Sequence, residues 1–190
     1  MTHDFIRQYA AESARTIAAL ADLAPVIDRV ACTISDAVLS GHLLLTAGNG
    51  GSAAEAMHLA EELTGKYCRP RRALPALCLN ADPTALTCIA NDWDFASVFS
   101  RQLEAFARPG AVFVGFSTSG NSENILRALA TAKARGATAI GLLGKTGGKA
   151  KDLCDIALIV PSQHANHVQE AHQAILHLIL EHIDSLLPNA

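Results

Sequence analysis

The sequence predicts a doubly wound α/β domain: a five-stranded parallel sheet flanked by helices, with a further helical pair added in front. Three observations carry this. Five short runs, apolar throughout, lack the polar alternation of a half-exposed sheet, as expected of strands covered on both faces. They alternate with segments whose apolar residues recur at helical spacing, the βαβα order of a parallel sheet. Two turns rich in glycine and hydroxyl side chains directly follow two of the runs, where such sheets bind ligands at their strands' carboxyl ends.

Taken in order, the helical pair spans about Phe5 to Leu23 and Pro25 to Leu39, with Pro25 suited to a first helical turn. The strands are His42 to Ala47, Leu74 to Leu79, Ala111 to Phe116, Ala137 to Leu143 and Ile156 to Val160. Between them lie helices at Ala53 to Lys66, Ala96 to Ala107, Glu123 to Arg135 and Gly147 to Leu153. A long helix closes the chain from about His167 to Leu186. No internal repeat or low-complexity linker interrupts the pattern, so residues 1–190 read as a single domain, helical over 1–40 and an α/β sandwich over 41–190.

Half of the 190 residues are hydrophobic, enough for one substantial core. The formal net charge is −3, and basic residues are dispersed apart from the Arg69 to Arg72 cluster, which argues against a nucleic-acid partner. Five widely spaced cysteines form neither a disulfide framework nor a zinc ribbon and suit a reducing compartment. Met1 to Tyr9 is polar, unlike a signal peptide, and every apolar run is too short to span a bilayer. A cytoplasmic protein without a membrane partner is expected.

The most informative segment is Gly115-Phe116-Ser117-Thr118-Ser119-Gly120-Asn121-Ser122. A strand that ends in hydroxyl residues and feeds a helix offers an oxyanion both O–H donors and the helix's unpaired N–H groups. That is the requirement of a phosphate group. An ordinary Ser/Thr N-cap explains one hydroxyl well and four poorly. The second turn, Gly48-Asn49-Gly50-Gly51-Ser52, lets backbone approach a ligand closely, although tight βα turns also use glycine for packing.

The helix after Ser52 carries His58 and Glu62, four residues apart and so on one face. Such a pair can share a divalent metal, and it is also simply a polar pair on a surface. On the last helix Gln169 and His177 are separated by a rise of about 12 Å and about 80° of rotation. They converge on one site only if it lies between them or at a subunit junction. Two histidines, a carboxylate and an amide oxygen are chemically acceptable zinc ligands.

These motifs, together with Ala56-Met57-His58, Ala60-Glu61-Glu62-Leu63-Thr64-Gly65, Asn91-Asp92 and Val168-Gln169-Glu170, resemble the sedoheptulose 7-phosphate isomerase family. That family belongs to the flavodoxin-like sugar-isomerase (SIS) superfamily, and the resemblance covers nearly the whole chain. It implies a homotetramer packed through the N-terminal helices, with active sites at subunit interfaces and one zinc ion per subunit. It implies aldose–ketose isomerisation of D-sedoheptulose 7-phosphate to D-glycero-D-manno-heptose 7-phosphate, opening nucleotide-activated heptose synthesis. By position, the zinc ligands would be His58, Glu62, Gln169 and His177, with Glu62 as base and His177 as acid. Substrate contacts would come from Asn49, Gly50, Gly51, Ser52, Glu62, Asn91, Asp92, Ser117, Thr118, Ser119, Ser122 and Gln169.

Two positions depart from the family pattern. Lys66 stands where arginine is often found, and Asn166 replaces an aspartate seen in some members. A non-catalytic relative of the replication-initiator-associating type, which binds another protein, shares the glycine turns but lacks the acid and histidine matching Glu62 and His177. An SIS enzyme acting on another sugar phosphate is the remaining alternative, against which the His58/Glu62 and Gln169/His177 pairs argue.

Overall fold

The computed structural model describes residues 1–188. The strands are β1 (Leu44–Gly48), β2 (Ala76–Cys78), β3 (Val112–Ser117), β4 (Thr138–Gly144) and β5 (Ile156–Val160). All pair in parallel in the order β2-β1-β3-β4-β5. The order reverses between β1 and β3, where Gly48 lies opposite Phe116, so the two glycine-and-hydroxyl turns flank the switch point of the sheet.

The helices are α1 (His3–Ala18), α2 (Ala24–Leu39), α3 (Gly51–Thr64), α4 (Pro83–Asp92), α5 (Ser100–Phe106), α6 (Glu123–Ala134) and α7 (Ala165–Leu186). One face of the sheet is covered by α2, α3 and α7, which bury Leu44, Val114 and Phe116 beneath Ile34, Leu59 and Ile175. The other carries α4, α5 and α6, which close over Leu45, Ala47 and Phe113. Successive residues of β1 thus enter opposite cores, the physical origin of its unbroken apolar run. Along α7 the buried positions recur at intervals of three and four, from Val168 through Ile175 and Ile179 to Ile183. Each fully buried aliphatic side chain there contributes about 1.5–3 kcal/mol relative to exposure.

The structure adds one element and corrects three expected ones. A helix not anticipated from the pattern, α4, begins where Asp82 caps it and Pro83 fills its first position. The Asp82 carboxylate accepts from the backbone N–H of Thr84 at 2.8 Å and of Ala85 at 3.1 Å. The expected helix over Ala96 to Ala107 is split into a 3-10 turn at Phe95–Ser97 and the short α5. Gly147 and Gly148, both at positive φ, delay the helix expected from Gly147 to a single 3-10 turn at Ala150–Leu153. Finally, β2 is cut to three residues because Pro75 has no N–H for the ladder, as suits an edge strand.

The N-terminal α1 buries none of its residues and leaves Phe5, Ile6, Tyr9 and Ile17 exposed. It is tied to α7 by Tyr9, whose hydroxyl donates to Glu170 Oε1 at 2.6 Å and whose ring lies 4.7 Å from that of His167. The cysteines are all unpaired. Among the described residues no helix is long and apolar enough to cross a membrane.

Candidate active site

Helices α3 and α7 lie side by side and run in the same direction, so their side chains meet in a ladder of rungs. At the first rung a Cβ on Gly51 would stand 2.5 Å from the amide nitrogen of Gln169, so a side chain there would push that amide aside. At the second, Glu55 Oε2 lies 3.5 Å from His172 Nδ1, with both residues buried. The other ring nitrogen of His172 meets the carbonyl of Leu143 at the end of β4, 3.2 Å away. His172 is therefore a core residue joining α3, α7 and the sheet, not part of a polar surface.

The third rung gathers His58, Glu62 and His177. His58 Nε2 and Glu62 Oε1 are 3.3 Å apart, and the His58 and His177 rings meet edge to face with centroids separated by 5.4 Å. Gln173 bridges them: its amide contacts His58 Nδ1 and lies 3.5 Å from His177 Nε2. Tyr67 stacks on His177 at 6.0 Å. Its phenol is pushed up to about 12 by burial, then by hydrogen bonding to Cys68 and Glu181, and stays protonated at neutral pH. Glu61 completes the group: it, His58 and Glu62 each present a ligand atom within 4.8 Å of the others.

Three of the four residues expected to share a metal are thus gathered in one chain. Gln169, on α7, stands apart beside Gly51, which lies seven residues or about 10 Å along α3 before His58. Its amide makes no hydrogen bond to the other three. Sequence reasoning missed Gln173 and Tyr67. The signal for Gln173 was available, since it lies four residues from both Gln169 and His177 and shares their face.

At the switch point the turns are built to leave donors unspent. Ser117 Oγ accepts the N–H of Gly120 at 3.0 Å, and Ser119 Oγ accepts that of Asn121 at 3.2 Å. A hydroxyl used as an acceptor keeps its own hydrogen to donate outward. Ser122 occupies the N-cap position of α6, yet its side chain makes no capping bond, contrary to the ordinary-cap reading. Thr118 and Ser122 are half-buried, and the first turn of α6 adds a positive dipole end. Asn49 and Asn124 exchange amide hydrogen bonds of 2.8 and 2.9 Å, which ties the glycine turn of α3 to the start of α6. Gly50 sits at φ 57°, a backbone conformation that side chains oppose, while Ser52 is buried in the first turn of α3. Asn91 and Asp92 end α4, exposed and paired to each other at 2.8 Å.

A groove of about 470 Å³ opens between the outer face of α3 and β2, with His58 and Glu61 on its wall beside Met57, Thr64 and Cys78. Its lining is mainly apolar, and it does not reach the hydroxyl turn.

The five-stranded parallel sheet with glycine- and hydroxyl-rich turns at its switch point is that of an α/β protein of the SIS class, and the family model described as the SIS domain matches residues 8–144. A phosphoheptose isomerase from Nitratiruptor sp. is 52% identical over 141 residues, covering 74% of this chain and 75% of its own length. The phosphoheptose isomerase of Rhodospirillum rubrum is 40% identical over 184 residues, 97% of this chain and 98% of its own. The solved structure of phosphoheptose isomerase from Neisseria gonorrhoeae superposes with a TM-score of 0.91 at 36% identity, covering 96% of this chain and 98% of that one. The chain belongs to the phosphoheptose isomerase family.

Proposed function

We propose that this protein converts D-sedoheptulose 7-phosphate to D-glycero-D-manno-heptose 7-phosphate. Family membership gives the reaction class, and the observation that carries the chemistry is the meeting of His58, Glu62 and His177 between α3 and α7. Isomerisation requires a base that can move a proton between neighbouring carbons and an acid that serves their oxygens. The Glu62 carboxylate takes a proton from C1 of the ketose, and the electron pair forms the C1–C2 double bond while His177 gives a proton to O2. Glu62 then returns its proton to C2 and His177 recovers one from O1, leaving the aldehyde at C1. The turn from Ser117 to Ser122 holds the 7-phosphate, remote binding that positions the reacting carbons.

The donor set suits zinc: His58 and His177 offer imidazole nitrogen, Glu62 a carboxylate and Gln169 an amide oxygen. Bound there, zinc supplies Lewis acidity toward the carbonyl oxygen of the substrate. A carboxylate that ligates a cation is a weaker base, and the proximity of Glu61 gives the group a second carboxylate to relieve that conflict. The separation of Gln169 from the trio, and of the trio from its own hydroxyl turn, favours sites completed between copies of the chain. Exposed Phe5, Ile6 and Tyr9 on α1 and the apolar groove along α3 fit the proposed homotetramer in the cytoplasm.

The test is turnover of sedoheptulose 7-phosphate by purified protein in heavy water, before and after chelation and zinc restoration. An enediol route places solvent deuterium at C2 of the product whenever the proton held by Glu62 exchanges with solvent before its return. Failure of the metal-loaded protein to form the heptose 7-phosphate would refute the isomerase, and full activity in protein assayed free of metal would refute the zinc.

A further inference from the structure

We propose that Gln173 is the positioning residue of this site: its carboxamide fixes the tautomer of His58 so that Nε2 is free for the metal. The inference rests on the zinc reading above and adds to it a residue outside the expected ligand set.

The two ring nitrogens of His58 face different partners. Nε2 looks toward Glu62 Oε1 at 3.3 Å, whereas Nδ1 is in contact with the amide nitrogen of Gln173. A neutral imidazole carries one N–H and one lone pair. For His58 and Glu62 to share a cation, the lone pair must lie on Nε2 and the proton on Nδ1. That proton then needs an acceptor, or the half-buried ring favours the other tautomer. No other group is hydrogen-bonded to Nδ1 among the described residues. The carboxamide presents either end with nearly the same shape, since turning it over exchanges oxygen and nitrogen.

The two orientations define two states of the site. With the amide nitrogen toward the ring, as it stands in this structure, Nδ1 accepts, the proton sits on Nε2 and points at Glu62. With the amide oxygen toward the ring, Nδ1–H donates and the Nε2 lone pair faces the carboxylate. Cation binding selects the second state. Gln173 is well placed to hold it, because α7 carries it one turn before His177 and its amide also lies 3.5 Å from His177 Nε2. One side chain therefore sets the attitude of both imidazoles.

The experiment is zinc affinity, measured by competition with a chromophoric chelator on the parent protein and on Gln173→Leu, Gln173→Asn, Gln173→Glu and His58→Ala. Gln173→Leu keeps the bulk and removes the acceptor, and Gln173→Asn withdraws it by one methylene. Each is expected to weaken zinc about 10–100-fold, the usual effect of losing a hydrogen-bond partner behind a metal-binding histidine. Gln173→Glu retains an acceptor and is expected to stay within a few-fold of the parent, which keeps the test decisive should the leucine variant fail to fold. A long-range nitrogen–proton NMR spectrum of the zinc-loaded parent should place the His58 proton on Nδ1. Leucine and asparagine variants that bind zinc as tightly as the parent would overturn the proposal, as would a Gln173→Glu loss equal to theirs. If the parent itself binds no zinc and His58→Ala changes nothing, the metal reading fails and takes this inference with it.

Discussion

Replacing Arg71 by methionine should remove a large fraction of the protein's stability, and the structure gives the size. The Arg71 side chain is 1% exposed and lies at the last rung between α3 and α7. Its Nε donates to Asp184 Oδ1 at 2.9 Å, and its terminal nitrogens donate to the carbonyls of Glu62, Leu63 and Arg72 at 2.7, 3.0 and 3.0 Å. It therefore caps the carbonyl end of the helix that carries His58 and Glu62 while neutralising a carboxylate that is 7% exposed. Methionine preserves much of the packing of the stem but leaves the Asp184 charge uncompensated, when its Oδ2 already lacks a hydrogen-bond partner. Breaking one side of a buried pair costs about 3–5 kcal/mol, against a total stability of about 5–15 kcal/mol. For a chain of this size that lowers the melting temperature by about 6–20 °C. Urea unfolding, with parent and variant at one protein concentration, reads the change from the midpoint if the slope is unaltered. The double replacement Arg71→Met with Asp184→Leu should recover part of the loss, since an apolar pair carries no desolvation cost. A single Arg71→Met variant within about 1 kcal/mol of the parent would refute the reasoning, because an ion pair that cheap to break is not a buried one.

Glu62→Gln and His177→Gln should each abolish most turnover while far-ultraviolet circular dichroism and assembly stay unchanged; near-normal rates in either would remove that residue from the proton transfers. Gly51→Ala should leave unfolding nearly unaffected, since alanine favours a helix and the atoms it meets are the movable end of Gln169, but it should impair turnover by displacing that amide. Unchanged kinetics would show that Gln169 acts from another position. Asp82 has its carboxyl held below its ordinary value by hydrogen bonds from the Thr84 hydroxyl and the backbone N–H of Ala85 and Thr84. A depressed folded value contributes stability above the unfolded value, near 3.8, that is lost as pH falls through the folded one. The stability gap between Asp82→Ala and the parent should thus be open at pH 6 and close as the parent's cap protonates on acidification; a gap independent of pH would remove the carboxylate from the capping of α4.

How much of this was legible in the chain depends on how local the cause was. The strands of the sheet interior were readable because Leu44 to Gly48 and Val112 to Ser117 are buried on both faces, a condition written into consecutive residues. The hydroxyl turn was readable because its donors are adjacent along the chain. By contrast, α4 escaped notice although Asp82 and Pro83 mark its start, because it buries only Ile89 and so lacks a strong apolar stripe.

The sequence by itself determined the parallel α/β architecture, the two turns at its carboxyl edge, and the placing of His58 with Glu62 on one helical face. Those follow from alternation, turn chemistry and the 3.6-residue period, which act over a few residues. Only the tertiary structure decided that α3 and α7 run side by side in a register that sets Gly51 against Gln169 and His58 against Gln173 and His177. It also decided that Arg71 locks the far end of the pair and that His172 is core. Periodicity says which face of a helix is buried, but the partner it meets is chosen by packing across more than a hundred residues of intervening chain.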